Sequence, residues 1–188
     1  MHQIYLTRYW AVPLILLSQT ACWDDSSAET TTATSAATSA ATSAGAAKKA
    51  ETISDEEIFT AAGFTQSNGA WSKCGDPGTV SYEPGDIVDR GDFNGDGLPD
   101  AVVVEYGTYC FGMTGSGYTL VSRKTDGEWI IVDERPGILR FLNTKGKDGW
   151  PDIEVGGPGF CFPVIGWNGT SYETVRWEYE GKACQKPY

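Results

Sequence analysis

Residues 92 to 100 of this chain read Asp-Phe-Asn-Gly-Asp-Gly-Leu-Pro-Asp and run without a break into Ala101-Val102-Val103-Val104. Oxygen-bearing side chains fall at loop positions 1, 3, 5 and 9: Asp92, Asn94, Asp96 and Asp100. In a tightly coiled loop alternate side chains converge, and a hard cation such as calcium wants about six to eight oxygens at that point. Leu98, at position 7, contributes a backbone carbonyl, a role that makes no demand on its side chain. Gly97, at position 6, permits the positive φ that swings the chain around an ion. Three carboxylates this close repel one another unless a cation lies among them. The same residues also make an acidic, Asx-rich turn with no metal. The expectation is one structural Ca2+, held by Asp92, Asn94, Asp96, Leu98 and Asp100.

The loop is similar to an EF-hand loop only as far as position 9. Position 12, which there carries a bidentate Glu, is Val103, and Val102-Val103-Val104 reads as a strand rather than a helix. Asp-x-Asn-x-Asp-Gly-x-Pro-Asp before a Val-rich strand resembles the calcium loop of FG-GAP/VCBS repeats, over about fifteen residues. That resemblance implies a calcium loop tying two strands of a β unit, as in the blades of integrin-like propellers, and it carries the five ligand roles onto the residues named above.

Met1 to Ala21 reads as an export signal: Arg8 supplies positive charge, and Trp10 to Leu17 is an apolar core interrupted by Pro13, too short to span a bilayer. Ser18-Gln19-Thr20-Ala21-Cys22 resembles a bacterial lipobox with Cys22 as the lipidated residue, although Gln19 stands where Leu is usual. Plain cleavage near Ala21 or Ala28 is the alternative. Residues 22–50 hold a crude Ala-Ala-Thr-Ser repeat that cannot bury enough apolar surface to offset its ordering entropy, so a disordered tether is expected. A tether behind a lipidated Cys holds a domain off a membrane. Four cysteines remain: Cys74, Cys110, Cys161 and Cys184. In an exported domain an even number without a Cys-x-x-Cys pair predicts two disulfides, in any of three pairings.

Residues 51–188 are expected to form one mainly-β domain. Ser54-Asp55-Glu56-Glu57 is a capping box for a single short helix ended by Gly63, and everything after it reads as β. Ser67-Asn68-Gly69-Ala70 marks a hairpin. Strands are expected over 101–106, 118–123, 129–133, 138–142, 153–155, 162–167 and 172–179, with a glycine-rich loop over 107–117 and turns at Thr125-Asp126-Gly127 and Asn168-Gly169. An internal repeat relates Asp96-Gly97-Leu98-Pro99-Asp100-Ala101-Val102-Val103 to Asp148-Gly149-Trp150-Pro151-Asp152-Ile153-Glu154-Val155. Each copy continues into a glycine-rich loop, then Cys-Phe, then an Asp-Gly or Asn-Gly hairpin. The second copy, 144–152, has Thr144 for Asp92 and Gly146 for Asn94, so it loses its metal chemistry; Asp148 and Asp152 are left to pair with Lys145 and Lys147 or to cap the turn. Two degenerate FG-GAP/VCBS-like units are too few to close a propeller, so a small, partly open β domain is expected.

Function is bounded mostly by exclusion. His2 is the only histidine and lies in the expected export signal, which removes His-based triads, shuttles and metal sites from the mature chain. Gly156-Gly157-Pro158-Gly159 lacks the features of a phosphate loop. Loss of residues 1–21 takes Lys plus Arg from 14 to 13 against 25 acidic residues, net −12, which argues against nucleic acid. Glu83, Asp86, Glu105, Glu128 and Asp133 are available for a glycosidase-type acid pair, though no spacing selects two of them. Tyr106, Tyr109, Phe160 and Phe162, on the two glycine-rich loops, are the candidate rim of a ligand face; an aromatic β core is the other reading. The whole resembles small bacterial envelope lipoproteins without an assigned activity. The expected function is a non-catalytic, calcium-stabilised binding or structural module of the cell envelope. Its partner would be an envelope protein or glycan, and any membrane contact would come through a lipid anchor. The alternatives are a soluble periplasmic or secreted protein, and a carboxylate-dependent hydrolase of glycans.

Overall fold

The computed structural model describes residues 53–186; the expected export signal, Cys22 and the Ala/Thr/Ser tract lie outside them. The described residues open with helix α1 (Asp55–Ala61), whose N-cap Ser54 accepts the Glu57 N–H at 3.2 Å. The helix closes as a Schellman motif. Gly63 (φ 82°) donates to Thr60 and Phe64 to Phe59, and the Phe59 and Phe64 rings meet edge-on at 5.8 Å. Strands β1 (Thr65–Ser67) and β2 (Ala70–Ser72) form the expected hairpin, with positive φ at both Asn68 and Gly69.

The repeat in the sequence is the topology of the two main sheets. Strands β3 (Glu83–Gly91), β4 (Asp100–Tyr106), β5 (Ser116–Arg123) and β6 (Trp129–Pro136) form one antiparallel meander. Strands β7 (Ile138–Lys145), β8 (Pro151–Gly156), β9 (Phe162–Trp167) and β10 (Tyr172–Tyr179) form the second, extended by the short β11 (Lys182–Ala183). The loop 92–99 joins the first two strands of one sheet, and 146–150 joins the first two of the other. Strand β3 was not expected: Pro84-Gly85 and two Asp residues, Asp86 and Asp89, disfavour a strand, and bulges near 84–85 and 88 accommodate them. The expectation that only β follows the first helix also needs correction. Thr108–Phe111 forms a helical turn, α2, and Gly112–Thr114 a 3-10 turn, within the glycine-rich loop.

Strand β4 is buried on both faces. Val102 and Val104 pack with Tyr118 and Leu120 against Ile153, Val155 and Ile165 of the second sheet. Ala101 and Val103 pack with Val121 against Ile58, Phe59, Ala62 and Phe64. In the repeat Ala101 corresponds to Ile153 and Val102 to Glu154, so opposite faces of the two units meet and the sheets stack head to tail. The first sheet's outer face is covered by α1. The second sheet's outer face is covered by its own charges. Arg140 makes two bonds to Glu154, at 3.0 and 2.6 Å, and Arg176 reaches Asp152 at 2.6 Å and Glu178 at 2.5 Å. Thr144 donates to Asp152 and accepts from Arg176. Asp152 thus pairs with Arg176 and Thr144, rather than with Lys145 or Lys147 or as a cap of the turn, the two roles expected for it.

Both disulfides form: Cys74–Cys110 ties the segment after β2 to α2, and Cys161–Cys184 ties the loop before β9 to the chain beyond β11. Cys110 and Cys161, equivalent in the repeat, bond outward rather than to each other. A non-reducing peptide map should recover these two linkages and no other pairing of the four. Arg176→Ala strips the buried Asp152 carboxylate of its ion pair. Because the Arg176 side chain is itself a third exposed, the expected loss is on the order of 2 kcal/mol in urea unfolding, less than for a fully buried pair.

Candidate functional site

The loop 92–99 is organised by carboxylates that accept its own backbone N–H groups. Asp92 accepts from Gly95 at 2.7 Å, Asp96 at 3.0 Å and Gly97 at 2.8 Å. Asn94 accepts from the Asp96 N–H and donates its amide to the Asp96 carboxylate, each at 3.0 Å. Asp96 in turn accepts the Leu98 N–H at 2.7 Å. Gly95 and Gly97 both adopt positive φ, which makes this coil possible without strain. At the strand end, the Pro99 carbonyl accepts from Arg123 N–H, and Asp100 accepts from Phe93 N–H at 2.7 Å.

Asp100 differs from the others because it is buried, at 1 % exposure, and its Oδ1 has no hydrogen-bond partner. An orphaned buried carboxylate oxygen carries its full desolvation cost. Burial pushes the Asp100 carboxyl above its ordinary range, Ser122 and the Phe93 N–H pull it back, and the charges of Asp96 and Asp92 raise it further. The chain thus brings Asp92, Asn94 and Asp96 into direct contact, with Asp100 within electrostatic reach and Leu98 joined through its N–H. Among the described residues, no three Asp, Glu, His or Cys side chains gather closely enough to hold a metal by themselves. The donor set here is three carboxylates, one amide and a main-chain carbonyl, and oxygen-only donors of that kind fit a hard cation rather than a soft one.

The corresponding second loop has packing contacts where the first has oxygen-bearing side chains. A Cβ on Gly146, where the first copy has Asn94, would lie 2.6 Å from the Trp167 carbonyl oxygen. Asp148 accepts from the Trp167 indole at 3.2 Å. Gly149 lies against the first loop itself, where a Cβ would meet the Asn94 carbonyl oxygen at 2.1 Å.

The aromatic rim is split between two settings. Tyr106 ends β4 and lines a groove between the two sheets, and Tyr109 stands exposed on α2. Exposed Phe160 and half-buried Phe162 both pack on Tyr179, at 6.3 and 6.2 Å between centroids. The two glycine-rich loops approach at Gly157 and Thr114. Of the five acids considered for catalysis, Glu105 and Asp133 are buried and occupied. Glu105 accepts from the Lys73 and Cys74 N–H groups and, at 2.7 Å, from the Tyr82 hydroxyl. Burial and that bond push the Tyr82 phenol up to about 12. Asp133 accepts from Tyr118 at 2.6 Å and pairs with Arg135. Glu83, Asp86 and Glu128 are exposed.

No family model, curated protein or solved structure matches this chain. Sequence reasoning missed Ser122 as a neighbour of Asp100, and it missed the groove beside Tyr106. One signal was present: no Asp, Glu, Lys or Arg occurs over 106–122 or 155–172 of an otherwise highly charged chain.

Asp92→Ala removes the acceptor shared by three backbone N–H groups. Because the loop is solvent-exposed, water replaces part of what is lost. The expected cost is about 1–2 kcal/mol in urea unfolding with EDTA present, with faster amide exchange at Gly95, Asp96 and Gly97.

Proposed function

We propose that this chain is a non-catalytic, calcium-stabilised binding module of the bacterial cell envelope. The observation that carries it is Asp100: a buried carboxylate with one oxygen unpaired, next to a loop already coiled around Asp92, Asn94 and Asp96. A divalent cation there would satisfy that oxygen and offset the repulsion among three carboxylates. Asp92, Asn94, Asp96 and Asp100 would hold it through side chains and Leu98 through its carbonyl, in the manner of the FG-GAP/VCBS-type loop the sequence resembles. The ion's contribution is structural, tying β3 to β4.

Glu105 and Asp133 are buried and engaged, so neither is free to act as one of the two carboxyls that glycan hydrolysis needs across a cleft. Export and lipidation at Cys22 belong to the same proposal and rest on residues 1–22 of the sequence.

Thermal melting of the full-length chain in EDTA and in excess calcium tests the central claim. Calcium at about a hundred times its dissociation constant should stabilise the fold by about 2.7 kcal/mol, and Asp96→Ala should remove that increment. Equal melting temperatures in the two buffers would refute a structural calcium site. Labelling cells with a fatty-acid analogue should tag the wild-type chain and not Cys22→Ala; an unlabelled wild type would leave a soluble exported protein.

A further inference from the structure

Between the two sheets, on the side where both begin, lies an open groove of about 670 Å³. Val88, Val104 and Tyr106 line one side and Ile138, Leu139 and Phe141 the other. Strand β7, which carries the second set, is the edge strand of its sheet, so its outer backbone groups have no strand partner among the described residues. Val88 and Ile138 stand about half exposed, at 49 % and 56 %, which is uncommon for aliphatic side chains facing one another across a groove.

The register of β3 on β4 supplies the chemistry of the occupant. Glu83 lies beside Tyr106, Asp86 beside Val104 and Asp89 beside Val102. Directly paired residues in an antiparallel ladder point to the same face. Asp89 lines the groove itself, and Asp86 and Glu83 continue the same sheet face along β3, so the three acids form a rail beside the apolar floor. All three are exposed, and among the described residues none has an ion-pair partner. The one cation on this strand, Arg90, is turned away to Asp55 at 2.7 Å. No Lys or Arg lines the groove.

We propose that this groove binds an extended protein segment carrying both apolar and basic side chains. Its apolar residues would fill the floor between Val104 and Leu139, its Lys or Arg residues would meet Glu83, Asp86 and Asp89, and its backbone would add to the free edge of β7. Strand addition supplies affinity through main-chain hydrogen bonds and selectivity through alternate side chains, and the acidic rail adds attraction for a basic segment. A glycan is a poorer fit, because apart from the acids the groove offers few hydrogen-bonding side chains, Thr114 and Ser116 among them. This inference rests on reading the chain as a binding module and does not require the calcium site.

The test uses the full-length chain and a fluorescein-labelled octapeptide of alternating valine and lysine, with the valine–glutamate octapeptide as comparison, read by fluorescence anisotropy. The lysine peptide should bind and the glutamate peptide should not. Asp86→Asn combined with Asp89→Asn should weaken binding about fivefold and flatten its salt dependence. Ile138→Asp should weaken it about tenfold. These positions are exposed, so unchanged melting temperatures are expected; if Ile138→Asp unfolds the chain, Val88→Asp on the facing wall takes its place. Equal affinity for the two peptides overturns the proposal, as does full binding by Ile138→Asp. Pelleting with phosphatidylcholine vesicles that Ile138→Asp abolishes also overturns it, by assigning the groove to a lipid surface. Peptide binding by a chain indifferent to calcium would uphold the groove and refute the metal site. Calcium stabilisation without peptide binding would do the reverse.

Discussion

Strand β4 has no solvent face, and the rest of the domain follows from that. Four consecutive apolar residues, Ala101 to Val104, are at most 8 % exposed. A strand apolar on both faces needs a packing layer on each side. The chain supplies one from α1 and the segment that follows it, and the other from the second sheet. Asp100 sits at the foot of this strand and is carried into the interior with it. The unpaired carboxylate oxygen is thus a consequence of where the core lies, and the ladder that buries Asp100 also fixes its position next to the loop.

Head-to-tail stacking explains why two units suffice. Stacked repeats bury one another's faces and leave two terminal faces that must be made soluble or covered. Here the first terminal face is covered by α1 and the second is sealed by Arg140, Arg176 and their carboxylates. The substitution is visible at a single pair of equivalent positions: Val102 meets the next sheet, while its counterpart Glu154 meets Arg140. A third unit could not dock on that layer without burying ion pairs, whose desolvation is costly. Among the described residues the stack holds two units, and their first strands border an open groove.

Much of this was legible in the residues. The Val run, the Asn-Gly hairpin, the Ser54 cap with Gly63 and the repeat each rest on short-range patterns whose physical cause is local, and each appears near its expected place; of the capping box only the Ser54 half forms, since the Glu57 carboxylate accepts from Trp129 instead. What was not legible depends on distant partners. Strand β3 breaks local β preference at Pro84 and Gly85, yet Gly85 is where the Phe59 and Phe64 rings need room: a Cβ there would lie 2.5 Å from Phe64. The disulfide pairing follows from which loops share an end of the domain, which no spacing encodes. The partner of Asp152 is Arg176, 24 residues away, brought near by the β8–β9–β10 order, whereas the expected lysines were close only in sequence. At the loop 92–99 the oxygen-bearing residues were legible but the burial of Asp100 was not, because it depends on both flanking layers.

The loop and the groove share side chains. Phe93, at loop position 2, packs on Phe141 with ring centroids 4.7 Å apart, and Phe141 lines the groove. Gly149, from the second copy's loop, closes on the Asn94 carbonyl of the first. Disordering residues 92–99 would therefore release Phe93 from the inter-sheet core and loosen the β7 wall as well as the link between β3 and β4. On the proposed reading, an ion bound at the loop acts on the groove through this contact. It need not touch the bound segment, because holding Phe93 against Phe141 also holds one wall of the groove in place.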